Sequence, residues 1–190
     1  MTMLPRKWLY GGAVISALLQ SGILYAGIEQ RAAILRSGHE VVLQTEPVDP
    51  RDLMRGDYVT LNYEISSVAR KDIEGQPPND ARSVYVALKA GNGGVWHLSR
   101  ASFAPFNDLS ADEVMIRGTA TYPVSETGPG TVRLRYGIER YYVPEGEGRA
   151  IEDSQRALRI TAVVAINNAG KAVLKALRDD GRQLYEEPLY

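Results

Sequence analysis

From Trp8 to Ile28 the chain carries no charged residue, and its clearly polar members there are Ser16, Gln20 and Ser21, beside Tyr10 and Tyr25. At ~1.5 Å per residue this stretch predicts a helix about 31 Å long, enough to cross the hydrocarbon core of a bilayer. A core helix of a small domain rarely lacks charge over so many turns. Arg6 and Lys7 precede the run, Trp8 and Tyr10 suit one interface and Tyr25 the other, and Glu29, Gln30 and Arg31 mark the return to water. The run is longer than the ~7–15-residue apolar core of a cleavable signal, and Leu24-Tyr25-Ala26 places a bulky residue in the best small-residue site, so the segment is read as an uncleaved anchor. Helical pattern continues through Ala32, Ala33, Ile34 and Leu35 to a stop at Ser37-Gly38.

Beyond residue 38 the period changes from that of a helix to that of strands. Glu40 to Thr45 reads as a first strand. Val59, Leu61, Tyr63 and Ile65 then alternate with Tyr58, Thr60, Asn62 and Glu64, predicting a half-buried second strand antiparallel to the first. A polar connection follows. Ser83 to Ala90 and Val95 to Arg100 form a hairpin across Gly91 to Gly94, and Glu113 to Tyr122 with Thr131 to Val143 form another, with Gly118 and Gly137 as bulge or bend positions. Arg149 to Arg156 suits one or two helical turns. Leu158 to Ile166 and Lys171 to Leu177 make a third hairpin across Asn167 to Gly170, and a turn at Asp179 to Gly181 leads to a last strand at Gln183 to Tyr185. The expected fold is mainly β, an antiparallel β-sandwich or partly open barrel of eight or nine strands with an N-terminal transmembrane helix. No internal repeat divides the chain, so residues 1–37 are read as a short cytoplasmic tip and anchor, and residues 38–190 as one exported domain.

Composition narrows the classes. Lys and Arg total 22 against 23 Asp and Glu, a balance that argues against nucleic-acid binding. Cysteine is absent, which excludes disulfide staples and thiol chemistry. Arg6, Lys7 and the terminal amine, set against Arg31 and Arg36, favour a cytoplasmic amino end and a periplasmic or extracellular domain. With His39 and His97 the only histidines, no metal cluster is visible and no cofactor is expected.

Chemistry-bearing residues concentrate in two segments. Asp49, Arg51, Asp52, Arg55, Gly56 and Asp57 crowd a turn at the entrance of the second strand. Three aspartates suggest oxygen ligands for a divalent cation, but the interleaved arginines favour Arg–carboxylate pairs that lock the turn. Glu139, Glu145, Glu147, Glu152 and Asp153 gather around a glycine-rich stretch that follows Tyr136, Tyr141 and Tyr142. Exposed tyrosines beside an adaptable loop suit a protein or glycan interface, and paired carboxylates suit acid–base chemistry or calcium. A solvated acidic loop is the plainer reading.

Gly56, Asp57, Tyr58, Leu61 and Tyr63 resemble the defining motif of the GDYXXLXY family of bacterial proteins. The blocks Tyr136 to Glu139 and Tyr141 to Gly148, and the apolar amino end, also resemble that family. The resemblance brings no assigned activity. It implies a protein of the bacterial inner membrane, and members encoded beside multi-pass membrane proteins imply another membrane protein as partner. The resulting expectation is a non-enzymatic binding or scaffold domain. A tethered hydrolase is the alternative, since the Arg55-Gly56-Asp57 strand entrance is similar to one box of the type I signal peptidases, with Ser37 as nucleophile and Lys71 or Lys89 as base. The serine, lysine and carboxyl-side boxes of those enzymes are absent, and Lys71 lies beside Arg70 in a polar loop, where a neutral lysine is disfavoured.

Overall fold

A computed structural model describes residues 6–47, 58–78, 81–125, 130–142 and 148–187. The apolar amino end forms one unbroken helix, α1 (Arg6–Ser37). Its most apolar window has a mean hydropathy of 1.5 and none of it is buried, so the helix is long and apolar enough to cross a membrane and is not a core helix of the domain.

Among the described residues thirteen strands follow, with one short α-helix among them. They are β1 (His39–Glu46), β2 (Tyr58–Thr60), β3 (Asn62–Tyr63), β4 (Ser67–Ala69), β5 (Ile73–Glu74), β6 (Ala81–Ala90), β7 (Trp96–Ser102), β8 (Glu113–Val124), β9 (Thr131–Arg135), β10 (Arg140–Tyr142), α2 (Gly148–Arg156), β11 (Ile160–Ile166), β12 (Ala172–Asp179) and β13 (Arg182–Glu186). One sheet runs β13-β12-β11-β1-β3, a second β4-β9-β8-β6-β7-β5, and β10 pairs with β2 alone. The fold is mostly β, with antiparallel sheets, one of them curled into a half-barrel.

Three hairpins stand where the alternation places them: β6 with β7, β8 with β9, and β11 with β12. Three expectations are corrected. The run from Tyr58 is not one strand beside β1: β2 pairs with β10, and only Asn62 and Tyr63 pair with β1. The cause is Leu61, whose amide donates to the Glu139 carbonyl at 2.8 Å, so the chain changes partners there while its inward face, Val59, Leu61, Tyr63 and Ile65, stays buried. The strand expected over 131–143 breaks at Tyr136 to Glu139 for the same reason, sending β9 and β10 to different sheets. The polar connection after Ile65 hides β4 and β5, the latter parallel to β7. These edge pieces of two or three residues are too short to show a period, which is why the strand count exceeds eight or nine.

β11 explains its own composition. Ile160, Ala162, Val164 and Ile166 face the main core, Ala165 faces α1, and the strand reads as a nearly continuous apolar run because both faces are covered. The last turn of α1 completes that cover: Ile34 and Leu35 are each 3% exposed and pack against Ala165 and Val173. Each such side chain contributes about 1.5–3 kcal/mol on burial. Arg31 pairs with Glu187 at 3.0 Å, and Lys171 donates from Nζ to Gln30 Oε1 at 2.7 Å. The helix therefore enters the domain as a fixed strut. Gly38 makes the junction possible, because a Cβ there would lie 2.6 Å from the Ile34 oxygen and 3.0 Å from the Ile166 nitrogen.

Candidate functional site

The strand of Leu61 and Tyr63 is bound to the segment Tyr136 to Glu139 by a set of bonds that use both side chain and backbone. Tyr63 Oη donates to the Ile138 carbonyl at 2.7 Å, and Tyr136 Oη donates to the Ile65 carbonyl at 2.6 Å. Neither ring is exposed beyond 6%. Burial, and then the negative charge of Glu139, pushes both phenols well above the ordinary tyrosine range, so each stays a neutral donor. Glu139 closes the turn by accepting from the Tyr136 amide through Oε1 and from the Gly137 amide at 3.0 Å through Oε2. Gly137, with φ of +83°, supplies the left-handed bend. Gly118 is not a bulge: the β6–β8 register runs through it, and a Cβ there would lie 3.0 Å from the Tyr136 ring.

Several predicted site residues are thereby relocated. Tyr136 and Tyr141 do not form an exposed aromatic surface, because both are 6% exposed, and Tyr141 meets Tyr185 edge-on at 5.0 Å between ring centroids. The sequence favoured a surface because tyrosine suits either place, whereas here the Tyr136 hydroxyl finds a carbonyl partner and both rings join the main core. Tyr58 and Tyr142 pair through the backbone of β2 and β10. Asp49, Arg51, Asp52, Arg55, Gly56 and Asp57, together with Glu145 and Glu147, lie outside the described residues. The acidic stretch ends in α2, where Asp153 pairs with Arg156 at 2.7 Å.

The serine–lysine arrangement finds no geometry among the described residues. Ser37 Oγ donates to the Ala33 carbonyl at 2.8 Å, within the helix end. Lys89 Nζ lies 2.7 Å from Asp112, whose carboxylate raises the lysine's pKa, while a neutral base needs it lowered. Lys71 is exposed in a short turn. His97 meets Glu64 at 3.1 Å on the surface, and no three His, Asp or Glu side chains among the described residues gather as a metal set.

A cleft of about 560 Å³ lies between α1, the start of β12 and the outer face of β8 and β9. Gly27 and Arg31 line it from the helix, Arg117 and Arg135 from the sheet, and Lys171 and Glu139 from the adjoining turns. The turn before β12 is held there by the Arg117 amide, which donates to the Gly170 carbonyl at 2.8 Å. Gly170 has φ of +77°, and a Cβ on it would come within 2.9 Å of the Arg117 nitrogen. The signal was present in the alternation of Arg133, Leu134 and Arg135 against Arg117, Gly118 and Thr119, but it needed the strand pairing Thr119 with Arg135 to bring the cations together.

An antiparallel β domain fixed to a helix long and apolar enough to span a membrane is the class that these features define. The chain matches the GDYXXLXY protein family over residues 20–177 and belongs to it. No curated protein and no solved structure matches it.

Proposed function

We propose that the chain is a single-span protein of a bacterial cytoplasmic membrane whose exported β domain works as a non-enzymatic binding or scaffold module for another protein of that membrane. The observation that carries this reading is the strut: α1 passes without a break from its apolar span into the domain, where Ile34 and Leu35 are buried. A domain held at fixed height and orientation above the bilayer suits recognition of a neighbour, whereas a flexible tether suits a catalyst that must reach scattered substrates. Ser16 and Gln20, four residues apart and so on one helical face, add a hydroxyl and an amide within the span. Such groups associate with partner helices in an apolar medium.

A photocrosslinking residue in place of Gln20, in the full chain in native membranes, tests the reading. Capture of one integral membrane protein is the expected result. Crosslinks to lipid alone, or turnover of a substrate by the purified chain, would sink it.

A further inference from the structure

We propose that the cleft between α1 and the β8–β9 face holds the phosphate headgroup of an anionic phospholipid from the leaflet that α1 leaves. The inference rests on the reading of α1 as a membrane span and goes beyond it by naming a ligand.

Position is the first support. The uncharged run ends at Ile28, so Gly27 lies at the edge of the hydrocarbon layer, and Arg31 stands one helical turn further out. Gly27 has nothing within 4 Å of where a Cβ would be, which leaves space against the bare helix backbone for a lipid's glycerol.

Charge is the second. Among the described residues four cations, Arg31, Arg117, Arg135 and Lys171, line the cleft against one carboxylate, Glu139, whose two oxygens already accept backbone amides. Arg117 and Arg135 have no side-chain hydrogen bond or ion pair among the described residues. Arg31 and Lys171 are held by Glu187 and Gln30 but keep donors to spare, since a guanidinium has five N–H groups and an ammonium three. The whole chain carries a net charge of −1, so this concentration is local and not a general basicity. Unpaired arginines side by side on a sheet repel one another and are relieved by an anion, and planar guanidinium groups match phosphate oxygens. The Thr119 hydroxyl adds a neutral donor on the same wall.

Size and selectivity follow. A volume of about 560 Å³ falls within the range of ~300–1,000 Å³ typical of small-molecule sites. A phosphoglycerol headgroup fits with its acyl chains left in the bilayer beside α1. A choline headgroup would bring its own cation against four others and is disfavoured. Inorganic phosphate offers the same oxygens, but a cleft walled by the membrane helix at the bilayer edge places the lipid phosphate there already.

The test is native mass spectrometry of the full chain released from micelles doped with phosphatidylglycerol or phosphatidylcholine. The expected result is preferential retention of phosphatidylglycerol and a roughly thirtyfold loss of affinity in the Arg117→Gln, Arg135→Gln double variant, equivalent to about 1 kcal/mol for each cation. Unchanged melting of that variant in phosphatidylcholine micelles verifies its fold, and an Arg117→Lys, Arg135→Lys variant, which keeps the charges, should recover most of the retention. Equal retention of both lipids, or undiminished retention by the glutamine variant, overturns the proposal. So does competition by millimolar inorganic phosphate in place of lipid, or loss of a protein crosslink with lipid retention untouched. Should the full chain instead be recovered without detergent and without lipid, the membrane reading itself fails, and that outcome is separate from a span that inserts but shows no lipid preference.

Discussion

Tyr63 and Tyr136 donate their hydroxyls in opposite directions across one seam: Tyr63 to the carbonyl of Ile138, two residues after Tyr136, and Tyr136 to the carbonyl of Ile65, two residues after Tyr63. Each ring thus anchors the backbone next to the other. The exchange fastens the start of the domain to a segment more than seventy residues later, at the place where both strands leave one sheet for another. The tyrosine that ends the family motif is accounted for by this seam through its side-chain bond, while Leu61 gives the seam a backbone bond to Glu139 that does not depend on its side chain, which is buried in the core.

Removing either hydroxyl leaves a buried carbonyl without its donor. Tyr63→Phe and Tyr136→Phe should each cost about 1–3 kcal/mol, measured by thermal unfolding of the full chain in mild detergent. Because the two bonds brace the same pair of segments, the double variant should lose less than the sum, with a coupling of at least ~0.5 kcal/mol. Strict additivity would show two independent bonds in place of one seam.

The same phenols set a response to alkali. Their folded-state pKa values lie above the ordinary value near ~10, through burial first and Glu139 second, so the unfolded chain releases these protons before the folded chain does. Stability from this source is therefore whole below about pH 10 and falls as pH rises from there toward the folded values. Melting temperatures taken at rising pH should drop more steeply in the wild type than in the Tyr63→Phe, Tyr136→Phe double variant. Parallel slopes would place the alkaline loss in other groups.

How far the sequence carried can be judged residue by residue. Val59, Leu61, Tyr63 and Ile65 were legible as an inward face because a half-buried strand imposes a period of two whatever its partner. That face survives a change of partner at Leu61, so alternation revealed the burial and concealed the break. The hairpins at Gly91 to Gly94 and Asn167 to Gly170 were legible from local turn chemistry, and α2 from the loss of alternation. Tyr136 and Tyr141 were misplaced because their burial depends on carbonyls and rings distant in sequence. The cleft was illegible for a related reason: Arg31, Arg117, Arg135 and Lys171 come from four separate elements, and only the β8–β9 register and the docking of α1 assemble them.

Glu139 offers a test that separates local structure from the cleft's charge. Glu139→Gln keeps one acceptor oxygen for two amides and should lower stability by about 1–2 kcal/mol in thermal unfolding. The same change removes the one carboxylate that lines the cleft among the described residues, so retention of an anionic lipid should rise even as the domain weakens. A fall in both would mean that the turn at Gly137 shapes the cleft more than its charge does.

The rigid junction is testable at Gly38. A methyl group there meets backbone atoms of Ile34 and Ile166, neither of which can turn aside as a side-chain end would. Gly38→Ala should therefore displace the last turn of α1 from Ala165 and Val173, at a cost of about 1–3 kcal/mol. Limited proteolysis would report it as new cleavage near residues 36–39, with cleavage elsewhere in the domain unchanged. An intact junction with unaltered melting would mean that the strut tolerates a shift, and the argument from fixed orientation would lose its footing.

Topology is the last prediction, and it follows from the distribution of cations along α1. Arg6 and Lys7 precede the uncharged run, and Arg31 and Arg36 follow it. Orientation is governed by lysine and arginine close to the span, and Arg6 and Lys7 are contiguous and adjoin it directly, whereas Arg31 and Arg36 stand further from its other end at Ile28. The amino end is expected in the cytoplasm and the β domain outside it. A phosphatase-type reporter fused after Arg36, and another at Tyr190, should both be active, and a reporter that needs the cytoplasm should be silent at both. The reverse pattern would invert the topology while leaving the span intact; activity of the cytoplasmic reporter together with recovery of the chain from the soluble fraction would remove the span.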